Sequence, residues 1–219
     1  MGRDNWRPER IRYSPWGALA LAMLTGLALM RNGADLSPGP PQPVAAASVG
    51  QQKNAPAAPV TVPSVKPLAY APVARVAIPA IQVDAPVIDV NLDPDGWIET
   101  PPPEDPNLAG WYQNGIAPGQ LGTSVVVGHV DNKAGPAVFY GLGSMKKGDR
   151  VEIERSDDRV AVFEVYGVEV YAKNDFPGAR VYGDTGQAEL RVITCGGGYT
   201  KANGYDGNVV VFARLVETR

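Results

Sequence analysis

Glu189-Leu190-Arg191-Val192-Ile193-Thr194-Cys195-Gly196-Gly197-Gly198 is the stretch on which the reading of this chain turns. Its apolar part has the length and β-branched content of a strand, and glycine closes it. It ends on the only cysteine of the sequence. Outward from it, strand-like runs recur at short spacing: Ser124 to Val127, Arg150 to Glu154, Val160 to Val165, Val168 to Tyr171 and Val209 to Leu215, separated by turns rich in Gly, Pro and Asp. That pattern predicts an antiparallel barrel or sandwich. The expected core is Val126, Ile153, Phe163, Val165, Val168, Leu190, Val192, Val209, Val211 and Phe212. Helical signal is weak. Pro136 to Leu142 reads as one short helical turn, with Pro136 acceptable at a helix start.

The same order appears in composition. Of the 219 residues 44% are apolar, enough for one domain with a real core plus extensions. Arg3, Arg7, Arg10 and Arg12 precede an apolar stretch from Trp16 to Met30 that Arg31 closes. A basic flank of this kind keeps its own end in the cytoplasm and directs the chain beyond the apolar stretch outward. We therefore expect a basic tail over 1–14, a membrane anchor or signal segment over 15–31, and an extracytoplasmic remainder. Ala45-Ala46-Ala47 is a candidate cleavage site, but it lies well beyond the apolar core, which favours the anchor. Residues 32–72 are rich in Pro, Ala, Gly, Ser and Gln and read as a disordered linker. Order is expected to begin near Val73 and to run to Arg219 as one domain.

The net charge of −3 and the absence of a basic block beyond the first residues exclude nucleic acid as an expected partner. No second Cys or His completes a zinc site, and no Asp-x-Asp-x-Asp-Gly loop marks calcium, so the expectation is a protein-only site without a cofactor. A sole thiol in an exported chain cannot form an internal disulfide. It is a buried small residue or a nucleophile, and the glycines after Cys195, which leave backbone room for a substrate carbonyl, favour the nucleophile. Such a thiol needs a partner that stabilises thiolate and exchanges protons with the leaving group. His129 is the only histidine. It follows Val125-Val126-Val127-Gly128, so both groups are expected at strand ends, where a sheet presents side chains to a cleft. Asp131 is the nearest carboxylate in sequence that could orient the imidazole, and it also reads as a solvated turn aspartate.

These residues carry a family resemblance. Gly128-His129-Val130-Asp131, Ala137-Val138-Phe139 with Leu142, Lys147-Gly148-Asp149, Leu190 through Gly197 and Asn208-Val209-Val210-Val211-Phe212-Ala213 together resemble the sortases, the cysteine transpeptidases of Gram-positive surfaces. Within that family the resemblance runs to the actinobacterial class F group. It covers nearly all of Val73 to Arg219, in order, and the N-terminal anchor with its Pro-rich stem fits as well.

The resemblance implies an eight-stranded sortase-type β-barrel with short helical turns, preceded by the membrane helix and the disordered stem. It implies that Cys195 attacks the Thr-Gly carbonyl of an LPXTG-like sorting signal, that His129 protonates the departing amine, and that a cell-wall amine or water resolves the thioacyl intermediate. Thr194 and the Cys195 backbone N–H are candidates for polarising the carbonyl. In sortases the connection corresponding to Ala172–Gly186 forms much of the signal groove, which makes Phe176, Val181 and Tyr182 pocket candidates. Trp111 and Tyr112 read as packing residues.

One departure stands out. Sortases carry an arginine on the strand after the cysteine, and no arginine lies between Cys195 and Ala213 here. Strand counting puts Asn208 at that position. Arg214 has the same parity but lies six residues further, roughly 20 Å along an extended strand. Lys201 in the preceding loop is another cation to consider. Arg214 is the expected catalytic third residue because it supplies a guanidinium, with Asn208 and Thr194 expected to position the substrate. Two other functions compete: a non-catalytic membrane-tethered β-domain with Cys195 buried, and an L,D-transpeptidase-like cell-wall enzyme, whose Ser-x-Gly-Cys neighbourhood is missing.

Overall fold

A computed structural model describes residues 39–44 and 65–219. The basic tail, the 15–31 segment, the Ala45-Ala46-Ala47 site and most of the linker lie outside the described residues. Among the described residues, no helix is long and apolar enough to cross a membrane.

Among the described residues ten strands follow one another: β1 (Val73–Ile78), β2 (Val83–Val90), β3 (Ala109–Tyr112), β4 (Gly122–Gly128), β5 (Asp131–Asn132), β6 (Gly135–Pro136), β7 (Arg150–Arg155), β8 (Val160–Ala172), β9 (Ala188–Thr200) and β10 (Gly204–Thr218). Eight of them close a barrel in the order β1-β2-β3-β4-β9-β10-β8-β7, and β5 and β6 form a separate small ribbon. The expectation of an antiparallel sheet is corrected at two seams. β2 pairs with β3, and β4 with β9, in parallel. Parallel neighbours need a long crossover, which the 91–108 segment provides for the first pair and the β5-to-β8 region for the second.

Side-chain alternation along the strands sorts the apolar residues into two clusters. Val126, Val192, Val209 and Val211 point into the barrel with Ile153, Phe163, Val165, Val168 and Leu190. Their neighbours Val125, Val127, Ile193, Val210 and Phe212 point outward yet are also buried, packed with Val90 and Val181 and flanked by Phe176 and Tyr171. All ten expected core residues are buried, but Phe212 belongs to this outer layer. Burial on both faces explains why β4, β9 and β10 read as continuous apolar runs instead of alternating ones.

What covers the outer layer is the connection from β8 to β9, which holds the short helix α1 (Gly178–Tyr182). Two buried polar groups hold this connection to the barrel. Thr123 Oγ1 donates to Gly183 O (2.8 Å), and the Arg191 guanidinium donates to Val181 O (2.9 Å) and to Glu189 Oε2 (2.6 Å). Arg191 is 1% exposed and lies 4.6 Å over the Phe212 ring. Removing one member of a buried ion pair leaves the other uncompensated, at about 3–5 kcal/mol. Arg191→Met is therefore expected to lose stability of that order in denaturant titrations, and an added Glu189→Leu change to recover part of it. An Arg191→Met protein as stable as its parent would contradict this.

Three further expectations are corrected. Val160–Val165 and Val168–Tyr171 are one strand, β8; the break in their pattern is a bulge at Tyr166, where the register with β10 shifts between Phe212 and Ala213. Pro136 pairs with Asp131 in the small ribbon, and the helical turn comes later, as a 3₁₀ turn at Leu142–Ser144. Finally, β9 does not stop at Cys195 but runs on to Thr200. Contacts with the barrel also precede Val73: Leu68 N–H donates to Gly119 O (2.8 Å), and the buried Arg155 donates to Ala69 O (2.6 Å).

Candidate active site

The parallel pairing of β4 with β9 builds the site. Its register ends at Val127 opposite Ile193, two residues before His129, just past the end of β4, and Cys195, within β9. β4 stops there while β9 continues, and the gap between them opens into a cleft. The Thr194 hydroxyl donates to Gly128 O (2.8 Å) across this gap and fastens the histidine strand to the cysteine strand. Gly128 is required at this seam: a Cβ there would meet the Phe139 ring at 2.6 Å and Val138 at 2.7 Å. Two groups 66 residues apart in sequence, both half-buried, thus face one cavity of about 250 Å³.

The cleft wall is largely apolar: Trp97, Ile98, Val127, Ile193, Phe176 and Tyr182. Polar groups on it are Thr100, His129, Lys173, Thr194, Cys195 and Asn208. Phe176 and Tyr182 stand as expected candidates on the wall, with ring centroids 5.7 Å apart. Val181 does not reach it. It is fully buried below, in the outer apolar cluster.

His129 Nε2 lies 2.7 Å from Pro101 O. A carbonyl oxygen only accepts, so Nε2 carries a proton, and Nδ1 is the ring nitrogen left for chemistry. Asp131 does not orient the ring; its carboxylate accepts from the Tyr205 hydroxyl, whose pKa burial and this carboxylate push upward. The orienting group is a backbone carbonyl from the Thr100-Pro101-Pro102-Pro103 segment, which no side-chain motif announces.

Asn208 lies directly opposite Cys195 in the β9–β10 register. Arg214 is six residues along the same strand, opposite Glu189 and Glu164; its Nη2 lies 3.9 Å from Glu164 Oε1, and its guanidinium sits over Tyr166. It lines no part of the cleft. The expectation that it completes the site is corrected for the reason its spacing already contained: an extended strand carries it too far. Lys201, in the β9–β10 turn, is exposed and also off the cleft. The glycines after Cys195 have another purpose than leaving room. A Cβ on Gly196 would meet Val209 at 2.5 Å, and Gly197 (φ +83°) and Gly198 lie against Asp206, which accepts from Gly198 N–H (2.7 Å). They let β9 and β10 close tightly beside the thiol. At the margin, Gly197 N–H donates to the Gln42 side chain (3.3 Å).

Sequence reasoning missed Trp97, Ile98, Thr100 and Lys173. Asp93-Pro94-Asp95-Gly96 is a turn signature, and its Asp93 side chain accepts from the Asp95 and Trp97 N–H groups. A tryptophan presented by such a turn and 56% exposed was the available signal. Trp111 and Tyr112 are packing residues, Trp111 fully buried and Tyr112 against the outer cluster.

Two tyrosines around the outer layer give a pH expectation. Burial, with the neighbouring Glu189, pushes the Tyr166 phenol up to about 12, and burial with the Glu169 acceptor pushes Tyr171 up to about 12. Both titrate near 10 when unfolded. The neutral phenols thus favour the folded state fully below about pH 10, and that contribution is lost as pH rises towards 12. The melting temperature should fall across this window, with Tyr166 and Tyr171, together with the similarly raised Tyr182 and Tyr205, ionising late at 295 nm. Ionisation of all tyrosines together near pH 10 in the folded protein would contradict it.

A barrel that parts between two parallel strands over a half-buried thiol, an oriented imidazole and an apolar cleft has the geometry of a thiol-dependent acyl-transfer enzyme. The sortase domain family matches residues 76–216, and the chain belongs to that family, whose members are cysteine transpeptidases. Solved structures agree on the fold. Sortase A of Listeria monocytogenes aligns with 68% of this chain and 90% of its own at 19% identity and a TM-score of 0.51. The SrtA sortase of Actinomyces oris aligns with 67% and 81% at 17% identity and a TM-score of 0.51. A lid mutant of sortase A from Corynebacterium diphtheriae aligns with 68% and 73% at 20% identity and a TM-score of 0.51. No curated protein matches the sequence.

Proposed function

We propose that this protein is a sortase of the actinobacterial class F type that cleaves an LPXTG-like sorting signal between Thr and Gly and transfers the new carboxyl end to a cell-wall amine. The observation that carries the reading is the convergence of Cys195 and His129 on one apolar cleft of peptide-binding size. The Cys195 thiolate attacks the threonine carbonyl carbon, forming the S–C bond and sending the carbonyl electron pair to oxygen. As that pair returns, the C–N bond breaks, and the departing glycine amine takes a proton from Nδ1 of the His129 imidazolium. Nε2 keeps its proton on Pro101 O throughout. The incoming amine then returns a proton to Nδ1 as it attacks the thioester, or water takes its place.

Trp97, Phe176 and Tyr182 supply apolar area for the Leu-Pro end of the signal. The arginine-flanked 15–31 segment fits a membrane anchor that holds the domain on the extracytoplasmic side, with the Pro-rich residues as a stem. The reading is tested by incubating the protein with a library of LPXTG-type peptides and following Cys195 by mass spectrometry. An acyl adduct on Cys195 with release of the Gly-terminated fragment is expected. Absence of both with every peptide would overturn it.

A further inference from the structure

Attack on a carbonyl places negative charge on its oxygen, and the cleft must supply a donor to meet it. The polar wall of the cleft leaves few. The Thr194 hydroxyl proton is committed to Gly128 O and the His129 Nε2 proton to Pro101 O. Every arginine near the outer layer is held by a carboxylate: Arg180 by Glu169 (3.0 Å), Arg191 by Glu189 (2.6 Å) and Arg214 by Glu164 (3.9 Å). What remains is a set of neutral donors, the Thr100 and Tyr182 hydroxyls, the Trp97 indole N–H and the Asn208 amide beside Cys195, and one cation. Apart from His129, whose protons serve Pro101 O and the leaving amine, Lys173 is the only cationic side chain on the cleft wall among the described residues, and it has no ion pair or hydrogen bond among them.

Its place in the sheet is defined by register. Tyr171, Asn208 and Cys195 form one row across β8, β10 and β9, and Ala172, Gly207 and Gly196 form the next. Lys173 follows immediately, two residues after Tyr171, where β8 gives way to the 3₁₀ turn Lys173–Asp175. Its backbone is therefore two strand spacings across the sheet and two residues along it from Cys195, about 12 Å in all. A flexible four-carbon stem ending in a compact point charge bridges much of that distance.

We propose that Lys173 is the charged donor of this site. Its ammonium meets the oxygen of the scissile carbonyl as charge develops there, with the Asn208 amide as the neutral second donor beside Cys195. This rests on the reading of Cys195 as nucleophile given above. Lys173 forms and breaks no covalent bond and keeps its proton; it only donates while the carbonyl electron pair resides on oxygen. A bound peptide covers the cleft and excludes water, which strengthens the interaction at the moment it is needed.

Two alkylating reagents of nearly equal size test the placement without any peptide. Iodoacetate is an anion, iodoacetamide is neutral, and both transfer to a thiolate with loss of iodide. The rate ratio of iodoacetate to iodoacetamide at Cys195 is read by mass spectrometry at fixed pH and low salt, with Cys195→Ala as the blank. Lys173→Gln should lower that ratio about three- to tenfold, as loss of one nearby cation in a partly exposed site requires, and salt should lower the parent's ratio likewise. Lys173→Arg should hold it within about twofold of the parent.

With a cleaved peptide in hand, Lys173→Gln should lower kcat by about 10²–10³ with little change in KM, because the interaction belongs to the transition state. Lys173→Arg, or Asn208→Arg added to Lys173→Gln, should restore at least about tenfold of that loss. If neither reagent labels Cys195 in the folded protein, the nucleophile reading itself fails. If Cys195 is labelled but Lys173→Gln leaves either the rate ratio or kcat within about twofold of the parent, Lys173 is not the donor, and the function proposed above stands without it.

Discussion

Cys195→Ala is expected to abolish peptide cleavage, by at least about 10⁴-fold in kcat, while shifting stability by no more than about 1 kcal/mol. The activity loss follows from the covalent step: no other thiol exists in the chain, and the acyl group has nowhere else to go. The small stability effect follows from position. Cys195 is half-buried on the cleft wall and belongs to neither apolar cluster, so removing its sulfur opens no internal cavity. The two measurements decide between catalysis and packing. An alanine variant that still turns over peptide would remove Cys195 from the mechanism, and one that cleaves nothing but also melts far below the parent would make the thiol a structural residue.

His129→Ala should lower kcat by about 10²–10⁴, the usual range for loss of a positioned proton donor. The sequence contains no other histidine to substitute for it. Added imidazole should restore part of the loss, since the missing group is a proton donor and the truncated side chain leaves space for it. The Pro101 carbonyl adds a second readout in the unmodified protein. Because Nε2 donates to it at 2.7 Å, the neutral ring should be the Nε2–H tautomer by ¹⁵N chemical shift. A neutral ring protonated on Nδ1 would break the proton assignment, and unchanged turnover in His129→Ala would remove the histidine altogether.

The two residues that meet at the cleft were legible in the chain as candidates. A cysteine and a histidine that occur once each, both following β-branched runs, were expected to face a cleft, and the β-rich architecture followed from strand-like runs between Gly, Pro and Asp turns. The motifs were local, and local patterns survive folding. Roles that depend on what a group touches were not legible. Thr194 reads as a substrate donor and is a clamp on Gly128 O. Asp131 reads as a turn aspartate or as a candidate partner of His129, and its carboxylate accepts from the Tyr205 hydroxyl. Gly196 and its neighbours read as open space and are filled by Val209 and Asp206.

By itself the sequence determined that the chain forms a β-rich domain with a cysteine and a histidine following strand-like runs, because alternation, β-branching and turn residues act over a few positions. Only the tertiary structure decided that β4 and β9 lie side by side in parallel, since that pairing joins segments more than sixty residues apart through a register no local pattern encodes. The same closure placed Asn208 beside the thiol, left Arg214 against Glu164, and brought Lys173 to the cleft from the far side of β10. Distance along a strand is written in the sequence, but distance across a sheet exists only once its strands have paired.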